Sequence, residues 1–375
     1  MSVTNSSTEN GPAGNSSTGS APGGSASAPQ GRTRGVALLF PGQGAQQPGM
    51  AAGLYRADEA FAARIDEVLA LWGAQGRAIR RDWLSATPDV PLDDLRRAQP
   101  LLFAVDWALG RIVLDRGLRP DALLGHSVGE VAAAVLAGVL SLADAAALMA
   151  DRVRHLATAP PGGMLAVAAS PEEVAPLLGA DVVVGAVNGP RQVVVAGADG
   201  PLAAAEARLR AAGLVCRRAR TVSAFHSPVV AAAAVRCLPA LRATVLRPPA
   251  LPLFSGYTAA PLTGRQATDP GFWATQPAAP VLFGPALDAL LATGPLLLVE
   301  AGPAQGLTML AKRHRAVSSG ASAAVALLPA RPAGGDAEPA AVREVYRRLA
   351  EEGRLQEPSS AVGASAASLD PAARS

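Results

Sequence analysis

The run GHSVG at residues 125–129 brings together residue types whose spacing suits nucleophilic chemistry. In a G-x-S-x-G pentapeptide the small flanking residues permit a tight turn, the serine hydroxyl stands at its tip, and the first N–H groups of the following helix face any anion formed there. Ser127 is therefore a candidate nucleophile, the plainer alternative being a glycine-rich link between a strand and a helix. The surrounding PDALLGHSVGEVAAAVLAGVL reads as a short buried strand, a sharp turn and an Ala-rich helix, the context that gives the pentapeptide its meaning.

A serine nucleophile needs a base to take its proton. The chain holds four histidines. His126 adjoins Ser127, but successive side chains at a tight turn diverge. His155 lies in an Arg-rich helical stretch and His314 between two arginines, so both read as solvated. His226, in SAFHSP, sits where the chain returns from a segment of different pattern, and is either the base or a packed histidine.

Several elements must position these groups. The first folded segment, GVALLFPGQGAQ, is an apolar run of strand length that ends in the turn residues Pro41, Gly42 and Gly44. Helical stretches follow around residues 58–71 and 101–116, the second carrying Leu102, Val105, Leu109, Ile112 and Val113 at helical spacing. Residues 163–223 obey a different grammar. MLAVAA, DVVVGAV, QVVVAG and LVCRRARTV read as strands, and helices are predicted over SPEEVAPLL, opened by Ser170 as N-cap, and over residues 201–212. The order βαββαβ is that of a ferredoxin-like module. The expected fold is thus α/β, with a main body over residues 35–160 and 224–357 and an inserted ferredoxin-like lobe over 161–223. Residues 1–34 and 358–375, rich in Ser, Gly, Ala and Pro, read as disordered tails.

Composition bounds the rest. With 375 residues, 50% hydrophobic and 17% charged, the chain is excluded from the collagenous, fibrous and wholly disordered classes. A net charge of +3 does not call for a nucleic-acid partner. Cys216 and Cys237 are too few for a disulfide framework and lack metal-ligand spacing, so no metal is expected and a reducing cytoplasm fits. The longest uncharged apolar run, residues 131–143, falls short of the roughly 20 residues a spanning helix needs, so no membrane partner is expected.

Six segments in one order carry a resemblance: FPGQGAQ, GHSVGE, AVNGPRQVVVAG, SAFHSP, FWATQPAAPVLF and VEAGPAQGL. Together they resemble the signature segments of malonyl-CoA:acyl-carrier-protein transacylases and of polyketide synthase acyltransferase domains. The similarity covers about residues 35–330. It implies an α/β-hydrolase-like body and a free-standing enzyme of polyketide or fatty acid synthesis, with an editing acyl hydrolase as the alternative. No bound cofactor is implied; acyl-CoA is the donor and the phosphopantetheine of an acyl carrier protein the acceptor.

The resemblance also assigns roles. Ser127 is implied to carry the acyl group as an ester after His226 deprotonates it, with the backbone N–H groups of Gln43 and Val128 as oxyanion donors. The backbone carbonyl holding the histidine ring corresponds to Gln276, although Thr275, Gln276 and Pro277 stand where the family commonly has Arg, Asn and Leu. Arg152 matches the arginine that grips the free carboxylate of a malonyl-type group, against the alternative of an exposed helix-face arginine. Phe225 in SAFH points to malonyl over methylmalonyl, although Ser223 departs from the malonyl-type HAFH. Arg217, Arg218, Arg220, Arg236 and Arg242 form a basic cluster suited to an acidic carrier or, equally, to solvated faces.

Overall fold

The computed structural model describes residues 33–221, 223–332 and 336–355, so the expected tails fall almost entirely outside the described residues. Arg34 belongs to the folded unit, since its N–H and guanidinium both reach the Glu352 carboxylate, at 3.0 and 2.6 Å.

The apolar run after Arg34 forms β1 (Gly35–Phe40), and the run before the serine forms β2 (Ala122–Gly125). Both are buried on both faces, which explains why neither alternates apolar with polar residues. The lobe supplies β3 (Gly162–Val167), β4 (Val182–Gly189), β5 (Gln192–Ala198) and β6 (Cys216–Arg218). The body resumes with β7 (Leu253–Ser255), β8 (Ala260–Pro261), β9 (Leu296–Glu300) and β10 (Ala323–Ala326).

The body sheet runs β10-β9-β1-β2-β7-β8 and is parallel except for the β7–β8 pair. Its register matters for the site: Phe40 lies opposite Gly125, Gly125 opposite Ser255, and Leu39 opposite Glu300. The loops leaving β1, β2, β7 and β9 therefore emerge side by side at the carboxyl edge, where open α/β sheets place their ligands. The lobe sheet runs β4-β5-β3-β6, all antiparallel, with helices Pro171–Leu178 and Asp199–Ala211 covering it. This is the ferredoxin-like order expected, and the Ser170 cap is part of a full capping box with Glu173.

Two elements differ from the sequence reading. The second long helix spans Leu95–Asp115, starting ahead of Pro100 because Asp94 accepts from the Arg96 N–H and residues 95–99 carry a largely buried face. The last lobe strand is only three residues long, paired with β3 at Leu165–Val167 and flanked by hydrogen bonds from Ala168 N–H to Val215 O and from Ala219 N–H to Met164 O. Among the described residues no helix is long and apolar enough to cross a membrane.

Close backbone approach ties the first loop to the serine turn. A Cβ on Gly129 would lie 2.3 Å from the Phe40 carbonyl oxygen and 2.4 Å from that of Pro41, and neither backbone group can move away cheaply. Gly129→Ala is expected to cost on the order of 1–3 kcal/mol and to lower the midpoint of thermal unfolding by several degrees. An unchanged midpoint would show that the two loops can separate freely.

Candidate active site

Ser127 adopts φ 54°, the left-handed region that a non-glycine residue enters only at a cost. Helix Gly129–Leu136 begins immediately after it, and Gly125 is required behind it, where a Cβ would meet Glu130 Cα at 2.2 Å. The sharp strand-to-helix turn read from the sequence is thus present. Its neighbour His126 does point elsewhere: its Nε2 lies 2.9 Å from Asn188 Oδ1 on the lobe.

His226 lies 99 positions further along the chain, yet its Nε2 stands 2.8 Å from Ser127 Oγ. It too is left-handed, at φ 60°, and only 4% exposed. Two main-chain carbonyls grip it. Pro277 O accepts the His226 N–H at 2.7 Å, and Ala279 O accepts from ring Nδ1 at 2.8 Å. The carbonyl hydrogen-bonded to the ring is therefore that of Ala279, three residues beyond Gln276, to which the resemblance pointed. The reason is local: residues 276–279 form a tight turn in which the Gln276 carbonyl accepts the Ala279 N–H at 3.2 Å. Gln276 still faces the ring through its backbone, favouring protonated His226 as the second such contact after Ala279.

Gln43 and Val128 flank the dyad, on the loop after β1 and on the residue after Ser127. Neither backbone N–H has an intramolecular acceptor among the described residues. Arg152, on helix Leu142–Leu156, is 4% exposed and not a helix-face arginine in solvent. Its Nη2 donates to Trp273 O at 2.9 Å, while its Nε has no partner among the described residues. Phe225 is buried in the main core, its ring centroid 6.4 Å from that of His226.

Other residues complete the site, and their sequence signal was absent or too short to read. Tyr257, two residues past β7, packs beside the dyad, its ring centroid 6.2 Å from that of His226. Glu130 is fully buried and accepts from Ser255 Oγ at 2.7 Å, Gly256 N–H at 2.9 Å and Gln276 Nε2 at 3.3 Å. Gln99 reaches across to Gln43, donating to its Oε1 at 3.1 Å. Only Glu130 lay in a segment already singled out.

Burial dominates the electrostatics. Loss of solvent lowers His226 to about 4, against the favourable pull of the Ala279 carbonyl. It pushes Glu130 up to about 8, opposed by Ser255, Gly256 and the nearby Arg152 charge. It also raises Tyr257 and lowers Arg152. Tyr257 thus stays neutral, and His226 stays a neutral ring.

A serine on a strand-turn-helix with a histidine nitrogen 2.8 Å from its hydroxyl, on a parallel sheet carrying an inserted ferredoxin-like lobe, has the arrangement that nucleophilic acyl chemistry needs. The chain belongs to the acyl transferase domain family, whose sequence pattern matches residues 37–350, and is an acyltransferase of the type found in polyketide synthases and in FabD. It is 39% identical over 280 residues to a phenolphthiocerol/phthiocerol polyketide synthase of Mycobacterium tuberculosis, covering 74% of this chain and 19% of that synthase. The chain thus spans about a fifth of the length of that relative. The acyl transferase domain of SpnD, solved in complex with 2-(pent-4-yn-1-yl)malonyl, superposes with a TM-score of 0.78 at 34% identity, over 86% of this chain and 77% of that one. FabD from Acinetobacter baumannii superposes with a TM-score of 0.74 at 25% identity, over 86% of this chain and 99% of that one.

The depressed histidine has a kinetic consequence. His226 loses its ability to accept the Ser127 proton only as pH falls through about 4, well below the ordinary histidine value. The acid limb of the kcat/KM profile for acyl transfer is expected near pH 4, with a plateau already reached by neutrality. A limb centred on the ordinary histidine value would contradict the sealed, desolvated ring.

Proposed function

We propose that this chain moves a malonyl-type acyl group from CoA to the phosphopantetheine thiol of a separate acyl carrier protein, by a ping-pong route through an ester on Ser127. His226 Nε2 accepts the Ser127 proton as Oγ attacks the thioester carbonyl. The oxyanion is received by the N–H groups of Gln43 and Val128, each such donor being worth roughly 10²–10³ in rate. The tetrahedral intermediate expels the CoA sulfur, which takes the proton from His226. In the second half the carrier thiol gives its proton to His226 and attacks the ester, and the departing Ser127 oxygen takes that proton back from His226. The Ala279 carbonyl keeps Nδ1 protonated throughout, so that Nε2 is the free acceptor.

The observation that carries the substrate class is Arg152. A buried guanidinium with one carbonyl partner and an unpartnered Nε leaves donors for a carboxylate, and its planar fork suits that group better than a lysine would. The malonyl group named in the SpnD structure agrees with this reading. Phe225, packed beside the dyad, supports malonyl over bulkier units, a discrimination worth about 1–3 kcal/mol per methyl. The near-complete overlap with the FabD chain supports the described unit as sufficient for the transfer.

Incubation with malonyl-, methylmalonyl- or acetyl-CoA, followed by intact mass of the enzyme and of an added holo carrier protein, tests the whole scheme. The malonyl adduct is expected on Ser127 and then on the carrier. Absence of any adduct on Ser127 would end the transferase reading, and rapid loss to water with none on the carrier would make the chain an editing hydrolase. Arg152→Ala is expected to abolish malonyl loading while improving acetyl loading; undiminished malonyl loading would remove its anchor role.

The basic cluster supports the carrier as partner. Arg217, Arg218, Arg220, Arg236 and Arg242 are all exposed, although Arg218 is drawn to Glu206 at 2.7 Å, together with Arg210. Arg217 on the edge strand β6 is therefore the more available charge. Complementary charge acts mainly on encounter, so Arg217→Glu is expected to slow transfer to the carrier at low salt and to leave Ser127 acylation from CoA unchanged. Equal carrier rates for the two proteins would exclude docking at this face.

A further inference from the structure

Glu130 is a buried carboxyl beside the dyad for which the transfer scheme has no use. It is fully buried in the first turn of the helix that follows Ser127, and its own N–H bonds to the Ser127 carbonyl at 3.0 Å. Its two carboxyl oxygens collect three donors from two separate parts of the chain.

One part is the end of β7. Ser255 Oγ donates to Glu130 Oε1 at 2.7 Å and in turn accepts the Tyr257 N–H at 3.0 Å, while the Gly256 N–H donates to Oε2 at 2.9 Å. This carboxyl therefore anchors the short segment from which the Tyr257 ring packs beside His226, 6.2 Å between centroids. The other part is the turn 276–279. Gln276 Nε2 donates to Glu130 Oε1 at 3.3 Å, and the next residues of that turn supply the carbonyls of Pro277 and Ala279 that hold His226.

We infer that Glu130 is a positioning residue for the acyl-transfer dyad: it fastens the nucleophile's helix to the turn that orients His226 and to the segment that carries Tyr257. This inference rests on the Ser127–His226 transfer reading and adds to it the group that holds the two halves in register. The Glu130 carboxyl bonds to neither Ser127 Oγ nor the His226 ring. Its action is on geometry, and misplacement of a reacting group by about 1 Å costs about 10²-fold in rate.

The test is single-turnover acylation of Ser127 by malonyl-CoA, followed by intact mass, which separates the saturating rate from the half-saturating concentration. Glu130→Ala is expected to lower the saturating rate by about 10²-fold with the half-saturating concentration near that of the wild type, because Arg152 still binds the acyl carboxylate. Glu130→Gln, which keeps the acceptor oxygen for Ser255 and Gln276, is expected to recover part of that rate. Glu130→Ala combined with Gln276→Ala is expected to cost no more than Glu130→Ala alone, since both act through one turn.

A loss confined to the fraction of protein that can be acylated, Gln performing no better than Ala, or additive losses in the double variant would each overturn the inference. Where Glu130→Ala fails to fold, Ser255→Ala removes one of the three donors and is expected to show the same rate-selective loss in weaker form; an unchanged rate would overturn it. A wild-type chain that takes no acyl group from any donor would sink the transfer reading instead, so the two failures are distinct.

Discussion

Everything in this site depends on one contact, the 2.8 Å hydrogen bond between Ser127 Oγ and His226 Nε2. Both residues sit at positive φ, a conformation that costs a non-glycine residue on the order of 1–3 kcal/mol. Neither would hold it alone. Ser127 is held by close packing of Gly125 and Gly129 against neighbouring backbone, which leaves the turn no alternative path. His226 is held by two carbonyls from one turn, and by a lobe strand so close that a Cβ on Gly185 would lie 3.1 Å from the His226 carbonyl oxygen. Local strain at two points is thus offset by main-chain contacts that only the assembled fold provides.

The same assembly removes water, and burial then acts on every titratable group in one direction. His226, Arg152, Glu130 and Tyr257 are all shifted towards their neutral forms. His226 is left a neutral ring and Tyr257 a neutral phenol. Arg152 has one carbonyl and a distant carboxyl for company, so a buried charge is left short of partners. Such a group gains most from an anion placed beside it. One and the same loss of solvent therefore shifts the histidine and leaves the arginine open to an anion.

What the sequence disclosed follows from how local each feature is. The serine turn was legible because strand, glycines and helix are contiguous, and the lobe because its βαββαβ alternation lies within some sixty residues. His226 was legible only as a position where two patterns meet. The ring's acceptor was placed at Gln276 instead of Ala279, because a turn of four residues changes which carbonyl faces the ring without changing the motif. Tyr257 and the role of Glu130 were invisible: the partners of Glu130 lie 125, 126 and 146 positions away, and no periodicity encodes such a meeting. The helix read around residues 101–116 likewise begins earlier, because the Asp94 cap starts it ahead of Pro100.

The turn 276–279 has one further neighbour that decides how the site can move. Just beyond it Val281 bridges to Ala186 in the lobe, its N–H bonded to Gly185 O at 2.9 Å and its carbonyl accepting from Val187 N–H at 2.8 Å. The strip that docks the lobe is therefore continuous with the strip that holds the histidine. Swinging β4 away would break these two hydrogen bonds, each worth about 0.5–1.5 kcal/mol net, or would drag Ala279 off the His226 ring. The His126–Asn188 contact adds a second bond between the serine turn and the same strand. Any opening beside Ser127 that leaves these bonds intact therefore comes from side chains and loops, with the β4 junction kept closed. A lobe fixed in this way acts as part of the catalytic frame.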